Sequence, residues 1–405
     1  MSGRRIVVTG IGCLSALGAD RESVWRGLIE GRSGIGTLTL FDPTGYRSEL
    51  AAEVADYQPE RRFTPLERRR LSRCDQIAVL AAEEALADAG LNDARVDPDR
   101  IGVMFGAGTS DLFRNETYLA KLRARGVDHA RPSSVLNFFS NTPIDAVGDR
   151  FGLEGPRQCI VAACSSSTIA IGHAADAIRE GTIDVALAGG ADVLCRLTFS
   201  GFNALRLVDT QPCRPFDTSR AGMTIGEAAA VLVLEDFDRA RRRGAHVYAE
   251  VLGHGVRCEA YHPTSPEPDG RALAGTIEAA LASAGISADD VDHVNAHGTG
   301  TPQNDRAEAR AFVRVFGDRA RTMPVNSIKG MVGHCLGAAG AIEAAALALT
   351  IARGIIPPTV HHTETDPECG LDVVPNAARE RAVRCGISTS LAFGGNDSAL
   401  VMRRV

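Results

Sequence analysis

Two patterns of apolar positions recur along this chain, one with helical spacing and one of short continuous runs typical of buried strands. Residues 78–91 (AVLAAEEALADAGL) have helical spacing, and residues 99–110 (DRIGVMFGAGTS) give a short apolar run and a glycine-rich loop. The same order returns in residues 275–286 (GTIEAALASAGI) and 289–300 (DDVDHVNAHGTG). Each pair predicts a helix with a glycine stop, a loop, a buried strand and a glycine-rich loop.

A second pair of segments supports the same repeat. Residues 159–181 and 324–354 each predict a strand, a loop of small residues and a long apolar helix. We therefore interpret the chain as two copies of one α/β unit, with a first half of residues 1–250 and a second half of residues 251–405. Strands that alternate with helices predict parallel or mixed sheets covered on both faces. Two such halves packed together predict layers in the order α/β/α/β/α, with their loops meeting at the junction.

The glycines near the start of the chain need a separate interpretation. A first strand is predicted at residues 5–9, and its last residue, Thr9, begins the sequence TGIGCLSALG (9–18). The third glycine comes too late for the G-x-G-x-x-G pattern of dinucleotide-binding folds, and no convincing ribose-binding acid follows on a second strand. We therefore predict a tight turn before a helix at these glycines.

Composition narrows the class of protein. The 405 residues are 44% hydrophobic and 23% charged, which is ordinary for a soluble α/β protein. The net charge of -6 gives no reason to expect nucleic acid. The ten cysteines form no CxxC pair, which argues against a disulfide framework or a zinc ribbon and predicts a cytoplasmic location. The apolar stretch 338–356 contains Glu343 and Arg353, so we predict a buried core helix there and no membrane span.

The best candidate for a nucleophile is Cys164, within CIVAACSSSTIAIGHA (159–174). The pattern places this cysteine at a turn from a strand to a helix, among small residues. The positive end of the helix dipole favours a thiolate and predicts a lowered pKa, and free N–H groups of the first turn are suited to stabilise an oxyanion. Considered alone, a cysteine among alanines is more often a small buried hydrophobic residue.

Two histidines favour the interpretation of Cys164 as a nucleophile over that of a small buried residue. His297 in HGTGTPQND (297–305) and His334 in IKGMVGHCLGAAG (328–340) each lie in a glycine-rich loop after a predicted strand. Loops at the carboxyl ends of strands are where α/β proteins place their sites. One cysteine with two histidines is compatible with a zinc site, a hydrolase or a condensing enzyme, although the three residues lack short metal-ligand spacing.

Seven ordered motifs resemble the β-ketoacyl-acyl carrier protein synthase family of the thiolase superfamily, over nearly the whole chain. They are VVTGIGCLSALG (7–18), AACSSS (162–167), CRPFDTSRAGMTIGEAAAVLVLE (213–235), AYHPTSPEPDG (260–270), VNAHGTGTPQND (294–305), NSIKGMVGHCLGAAGAIE (326–343) and LAFGGNDSALV (391–401). The resemblance implies a thiolase-like five-layered α/β/α/β/α fold built from two duplicated halves. Asn396-Asp397 departs from the Thr-Asn that is usual in the family.

The resemblance also implies an activity and a set of site residues. Cys164 would take an acyl group from a carrier protein, and His297 and His334 would bind the malonyl thioester carbonyl during decarboxylation. The remaining implied residues are Lys329 as a further catalytic residue, Glu343 and Asp305 as supporting residues, Thr299 and Thr301 as contacts of the phosphopantetheine arm, and Phe393 as gatekeeper and, with Cys164, oxyanion-hole donor. No metal ion and no redox cofactor is implied, because the substrates are carried on phosphopantetheine.

The expected partners are an acyl carrier protein and either a second copy of this chain or a chain-length factor. Carrier proteins are acidic, so Arg69, Arg70 and Arg206 are candidates for docking. The resemblance leaves open whether the pathway makes fatty acids or polyketides, and which acyl chain is used. The alternatives are a non-catalytic partner of the chain-length-factor type, opposed by the presence of Cys164, His297 and His334, and a thiolase or other condensing enzyme that uses coenzyme A thioesters.

Overall fold

The computed structural model describes residues 3–54, 56–91, 96–110, 112–129 and 139–405. Its α-helices in these ranges are α1 (Arg21–Ile29), α2 (Pro59–Arg62), α3 (Pro65–Arg70), α4 (Arg73–Asp88), α5 (Leu112–Arg125), α6 (Thr142–Phe151), α7 (Ser166–Arg179), α8 (Arg196–Ala204), α9 (Phe237–Arg242), α10 (Arg271–Ala284), α11 (Pro302–Phe316), α12 (Lys329–Val332) and α13 (Ala339–Arg353). Its strands are β1 (Ile6–Leu14), β2 (Ile35–Thr37), β3 (Leu50–Ala52), β4 (Ile101–Gly106), β5 (Arg157–Ile160), β6 (Val185–Asp192), β7 (Ile225–Gly226), β8 (Ala228–Asp236), β9 (Ala249–Cys258), β10 (His293–Asn295), β11 (Val325–Asn326), β12 (Ile355–Ile356), β13 (Arg379–Glu380), β14 (Cys385–Ser390) and β15 (Asn396–Arg403).

Ten of these strands form one hydrogen-bonded sheet in the order β11-β10-β14-β15-β9-β1-β8-β6-β4-β5. The first five in chain order are β1, β4, β5, β6 and β8, and the next five are β9, β10, β11, β14 and β15. Across the sheet, each set lies in the order of its first, fifth, fourth, second and third strand. In each set the first two neighbouring pairs of strands are antiparallel and the last two pairs are parallel. Two sets with the same order and the same strand directions show that the chain is built from a repeated α/β unit.

The helices complete the five layers that the sequence predicts. α7 and α13 lie between the two sets of strands and contact both, whereas α4 and α6 cover the outer face of the first set. α10 covers the outer face of the second set, with α11 packed beside it. β1 and β9 join the two sets through a short antiparallel pairing of residues 6–8 with residues 249–251. The predicted division after residue 250 falls inside β9 and stays a prediction.

α13 is the core helix that the apolar stretch 338–356 predicts. Its apolar side chains belong to the largest hydrophobic cluster, which also contains residues of α7, β1 and β8. One segment of the described chain, Leu336–Arg353, is long and apolar enough to cross a membrane, and 89% of it is buried inside the protein. Burial against the neighbouring layers accounts for the composition of this helix.

The glycines near the start of the chain agree with the prediction only in part. A tight turn does precede α1: the N–H of Ser15 donates to the oxygen of Gly18 at 2.9 Å and the N–H of Gly18 donates to that of Ser15 at 3.1 Å. Gly10 and Gly12 form no turn, because β1 continues through them to Leu14, so the prediction is wrong for these two. A Cβ on Gly10 or Gly12 would lie 2.2 or 2.0 Å from a backbone carbonyl oxygen of α4. These glycines therefore allow α4 to pack closely on the strand, a role that glycine also has inside strands.

Candidate active site

Cys164 lies in a turn between an edge strand and a central helix, as its sequence context predicts. β5 ends at Ile160, a 3-10 turn spans Ala163–Ser165, and α7 begins at Ser166. Ala163 has a φ of 48°, a left-handed conformation that residues with a Cβ seldom adopt. The turn leaves Cys164 only 7% exposed, at the wall of a cavity.

Burial determines the charge of the Cys164 thiol. Loss of contact with water raises the pKa of Cys164 to about 12, while the positive charge of Lys329 and an N–H donated by Phe393 act in the opposite direction. The sequence predicts that the helix terminus lowers this pKa. That prediction is wrong, because the effect of burial is larger than the opposing effects of Lys329 and the Phe393 N–H, and the net shift is upward. At neutral pH the free thiol is protonated, so its attack on a thioester requires loss of this proton.

The two predicted histidines come together with Cys164. One ligand atom of each of Cys164, His297 and His334 lies within 4.8 Å of those of the other two. The two imidazole rings have centroids 5.2 Å apart and planes at 87°. His334 Nδ1 accepts the N–H of Leu336 at 3.0 Å, and His297 Nδ1 lies 3.2 Å from Lys329 Nζ, which has only protons to donate. Both imidazoles therefore carry their proton on Nε2.

Both imidazoles are also uncharged. Burial and the nearby charge of Lys329 lower the pKa of His334 to about 3 and place the pKa of His297 well below its usual value. The two neutral rings thus offer two Nε2–H donors beside one sulfur atom. This arrangement suits stabilisation of an oxyanion or enolate.

Lys329, at the start of α12, is held by three acceptors. Its Nζ donates to Glu343 of α13, to the backbone oxygen of His297 at 2.5 Å and to His297 Nδ1. These bonds use all three protons of an ammonium group. Lys329 and Glu343 are each 1% exposed, and burial raises the pKa of Glu343 to about 7 against the opposing charge of Lys329. The predicted pair is thus in place and fixes the tautomer of His297.

Asp305 lies at the start of α11 and holds one loop from each half of the chain. Its Oδ2 accepts the N–H of Phe216 at 2.7 Å and its Oδ1 accepts that of Gly300 at 3.2 Å. Arg220 Nε lies 3.4 Å from Asp305 Oδ2. Asp305 therefore supports the loop of Thr299 and Thr301 and does not touch the histidines through these bonds.

Glu308, one turn further along α11, is a residue that the sequence reasoning missed. It accepts the backbone N–H of His297 at 2.6 Å, that of Gly298 at 2.8 Å and the hydroxyl of Thr389 at 2.7 Å. Burial raises the pKa of Glu308 to about 7. Its position three residues after Asp305, on the same face of a helix, was the available signal.

The cavity beside Cys164 has a volume of about 280 Å³. His297, His334, Thr299, Thr301 and Phe393 share in its lining. The hydroxyls of Thr299 and Thr301 are 2.9 Å apart and both are buried. The Phe393 ring packs on Phe202 with centroids 5.5 Å apart, so the predicted gatekeeper sits between the cavity and α8.

The candidate docking arginines lie on the surface. Arg69 and Arg70 are exposed at the end of α3, and their backbone oxygens accept hydrogen bonds from Arg114 of α5. Arg206 is exposed between Leu205 and Leu207, two residues that line the cavity. Arg206 therefore lies at the mouth of the cavity, whereas the structure gives no direct contact of Arg69 or Arg70 with it.

The cluster of Cys164, His297 and His334 also has the donor atoms for a metal ion. However, the ammonium of Lys329 is hydrogen-bonded to His297, and this positive charge opposes a cation at the same place. The residues therefore fit a metal ion poorly. The absence of metal and redox cofactors stays a prediction.

Comparison with known families settles the class. The sequence profile described as "Beta-ketoacyl synthase, N-terminal domain" matches residues 3–240, and that described as "Beta-ketoacyl synthase, C-terminal domain" matches residues 248–363. This chain belongs to the β-ketoacyl synthase family.

Full-length relatives agree with this family. This β-ketoacyl synthase is 42% identical to the "Tetracenomycin polyketide synthase ketoacyl synthase alpha subunit" of Streptomyces glaucescens, over 99% of this chain and 97% of the relative. It is 37% identical to "3-oxoacyl-[acyl-carrier-protein] synthase 2" of Staphylococcus aureus strain COL, over 99% and 98%. A solved structure, "The ishigamide ketosynthase/chain length factor", covers 100% of both chains with a TM-score of 0.95 and 36% identity.

The β-ketoacyl synthase is therefore a condensing enzyme of the acyltransferase class with the thiolase-like fold. The family, the fold class and the enzyme class that the seven motifs imply are confirmed. The roles of the individual site residues stay predictions.

Proposed function

We propose that this β-ketoacyl synthase elongates an acyl chain carried by an acyl carrier protein, with Cys164 as acyl acceptor and malonyl-carrier protein as extender. One observation carries the proposal: a ring nitrogen of each of two neutral histidines and the Cys164 sulfur lie within 4.8 Å of one another, and both Nδ1 atoms are already hydrogen-bonded. One relative named as a polyketide synthase subunit and another named as a 3-oxoacyl-[acyl-carrier-protein] synthase are both similar over nearly the full chain, so we propose an extension step that is common to both candidate pathways.

The reaction has two stages. In the first, the Cys164 sulfur forms a bond to the acyl carbonyl carbon, the bond from that carbon to the carrier sulfur breaks, and the proton of the Cys164 thiol ends on the departing carrier sulfur. In the second, His297 and His334 donate N–H to the malonyl thioester oxygen as the carbon–carboxylate bond breaks, which releases carbon dioxide and leaves an enolate. The enolate carbon bonds to the acyl carbon and displaces the Cys164 thiolate, which yields a β-ketoacyl-carrier protein.

The substrates would reach Cys164 on a phosphopantetheine arm. We place the arm in the cavity beside the hydroxyls of Thr299 and Thr301, with Phe393 at the inner end and no additional cofactor. The similar ishigamide protein is named as a ketosynthase together with a chain length factor. We propose a dimer of this kind, with either such a factor or a second copy of this chain, in the cytoplasm.

The test is the intact mass of the protein after incubation with a panel of acyl-carrier proteins, followed by malonyl-carrier protein. We expect one acyl adduct on the wild-type protein, none on Cys164→Ala, and an unchanged adduct on Cys385→Ala, which removes a cysteine at the start of β14, outside the cavity lining. Addition of malonyl-carrier protein should discharge the adduct as a β-ketoacyl product. An adduct that survives in Cys164→Ala, or one that malonyl-carrier protein leaves in place, would contradict the proposal.

Docking of the carrier protein gives a second expected result. Replacement of Arg206 with glutamate should lower kcat/KM for an acyl-carrier protein by about tenfold, because charge reversal at the cavity mouth repels an acidic partner. The rate with a small thioester donor should stay within about twofold of the wild-type rate, since such a donor makes no protein contact.

Two further variants complete the docking test. Replacement of both Arg69 and Arg70 with glutamate tests, in the same assay, whether α3 takes part in docking. Joint reversal of Arg381 and Arg404, two exposed arginines away from the cavity, gives the matched control for net charge. Equal losses with the carrier-bound and the small donor would show that these arginines do not dock the carrier protein.

A further inference from the structure

Two carboxyl groups line the same cavity as Cys164. Asp397 lies in β15 and is 1% exposed, and Glu259 follows the end of β9. Neither side-chain oxygen of Asp397 accepts a hydrogen bond from a donor in the described chain. A carboxylate buried in this way without a donor is highly unfavourable, so the group needs a proton or a cation.

The groups that face Asp397 offer no cation. Glu259 faces it from the segment after β9, and Glu308 faces it from α11. Arg257 pairs with Asp397 across β9 and β15, but its guanidinium lies against Gly275 of α10. Burial and the two neighbouring carboxyls raise the pKa of Asp397 to about 9, and burial also raises the pKa of Glu259. Asp397 is therefore protonated at neutral pH.

A protonated Asp397 has a partner within reach. Its side chain is placed to hydrogen-bond with that of Glu259. Two carboxylates have no proton to share, whereas a carboxylic acid and a carboxylate form a strong charge-assisted hydrogen bond. One proton thus resolves both the missing donor at Asp397 and the repulsion between the two groups.

The carboxyl pair joins the two segments that hold Phe393. The N–H of Glu259 donates to the oxygen of Gly395 at 2.8 Å, and the N–H of Gly394 donates to the oxygen of Pro263 at 2.8 Å. Gly394 and Gly395 both have positive φ, a conformation that glycine adopts easily and that suits a loop able to move. The loop of Phe393 is therefore attached to the segment 259–263 by two backbone bonds and one side-chain pair.

We propose that Asp397 and Glu259 share one proton and act as positioning residues that hold the Phe393 loop in place for acyl transfer to Cys164. Loss of the proton leaves two carboxylates side by side, and their repulsion loosens the loop. The role of the loop in acyl transfer rests on the proposed function, whereas the shared proton does not.

The test is the pH dependence of acyl transfer in a single turnover, compared between the wild-type protein and Asp397→Asn. We expect the ratio of the wild-type rate to the Asp397→Asn rate to fall by about tenfold between pH 8 and pH 10, because a group with a pKa of about 9 is largely ionised one unit above it. Asp397→Asn keeps a neutral hydrogen-bonding side chain at every pH and so lacks this alkaline decline. Ionisation of Cys164 raises both rates alike and cancels in the ratio.

Two matched variants sharpen the comparison. Glu259→Gln should reduce the alkaline decline as Asp397→Asn does. Asp269→Asn removes an exposed carboxylate near the same segment and should keep the wild-type decline. A ratio of the wild-type rate to the Asp397→Asn rate that stays constant from pH 8 to pH 10 would overturn the proposal.

Thermal unfolding tests the shared proton without any substrate. The folded protein keeps a proton on Asp397 that the unfolded chain releases above pH 4, so this group lowers stability as pH rises from about 4 to about 9. The Tm of Asp397→Asn should exceed that of the wild-type protein by a margin that widens between pH 5 and pH 8. A difference in Tm that does not change with pH would contradict the proposal of a shared proton. Absence of acyl transfer at every pH would instead count against the proposed function.

Discussion

Replacement of Lys329 with methionine is expected to lower the free energy of unfolding by about 3–5 kcal/mol and to reduce condensation by at least about 100-fold. The stability loss arises because Glu343 loses its partner while it stays buried. The rate loss arises because His297 Nδ1 loses its donor, so the imidazole proton is no longer confined to Nε2. Chemical denaturation and single-turnover condensation measure the two effects.

A double variant separates these two effects. Lys329→Met combined with Glu343→Leu replaces the buried ion pair with apolar side chains of similar size, and such exchanges are often neutral for stability. We expect the double variant to recover most of the lost stability while condensation stays low. Recovery of condensation along with stability would mean that Lys329 acts only as a structural residue.

Replacement of His334 with alanine is expected to leave acylation of Cys164 within about tenfold of the wild-type rate and to lower condensation by about 100- to 1000-fold. The estimate is the usual effect of removing one oxyanion donor. The acylation step keeps the N–H of Phe393, which already points to the Cys164 sulfur. Burst kinetics with separate acyl and malonyl donors resolve the two steps.

The control for this variant is His293→Ala. His293 is 1% exposed, as is His334, but it lies outside the cavity lining, and its Nδ1 is hydrogen-bonded to the backbone oxygen of Pro324. Its loss should affect stability without a selective effect on condensation. Because the pKa of His334 lies at about 3, a step in the condensation rate between pH 5 and pH 8 should come from Glu308 or Glu343, whose pKa values lie at about 7, and should disappear in Glu308→Gln or Glu343→Gln. A step near pH 6.5 that survives in both variants would show that a histidine of ordinary pKa controls the reaction.

The sequence predicts the repeated unit, the central helix α13 and the grouping of Cys164 with His297 and His334, because apolar spacing and ordered motifs are local signals. The glycines at 10 and 12 were misread, since a glycine that forms a turn and a glycine that admits a packed helix look alike in sequence. The sign of the pKa shift of Cys164 was also misread. A helix terminus is visible in a sequence, whereas the depth of burial that opposes it depends on all five layers.

The supporting carboxyl groups were the hardest part of the site to predict. Glu308 and Asp397 come from α11 and β15, which lie far apart in sequence, and each acts through groups of a third segment. The departure from the family pattern at Asn396-Asp397 was a visible signal, but only the structure identifies Glu259 as the neighbour. Chemistry that depends on such non-local contacts follows from the tertiary structure and not from any one motif.

The layered arrangement has a consequence for how the protein becomes active as it is made. Cys164 is synthesised well before the strand that completes its surroundings, since the Ser165 hydroxyl bonds to the backbone oxygens of Ser390 and Asn396. During synthesis the first half also lacks α13, which covers one side of its sheet. Cys164 therefore lacks its two histidines and the Phe393 loop until the second half of the chain has been made. We expect an unfinished chain to take up no acyl group, so that it does not trap substrate.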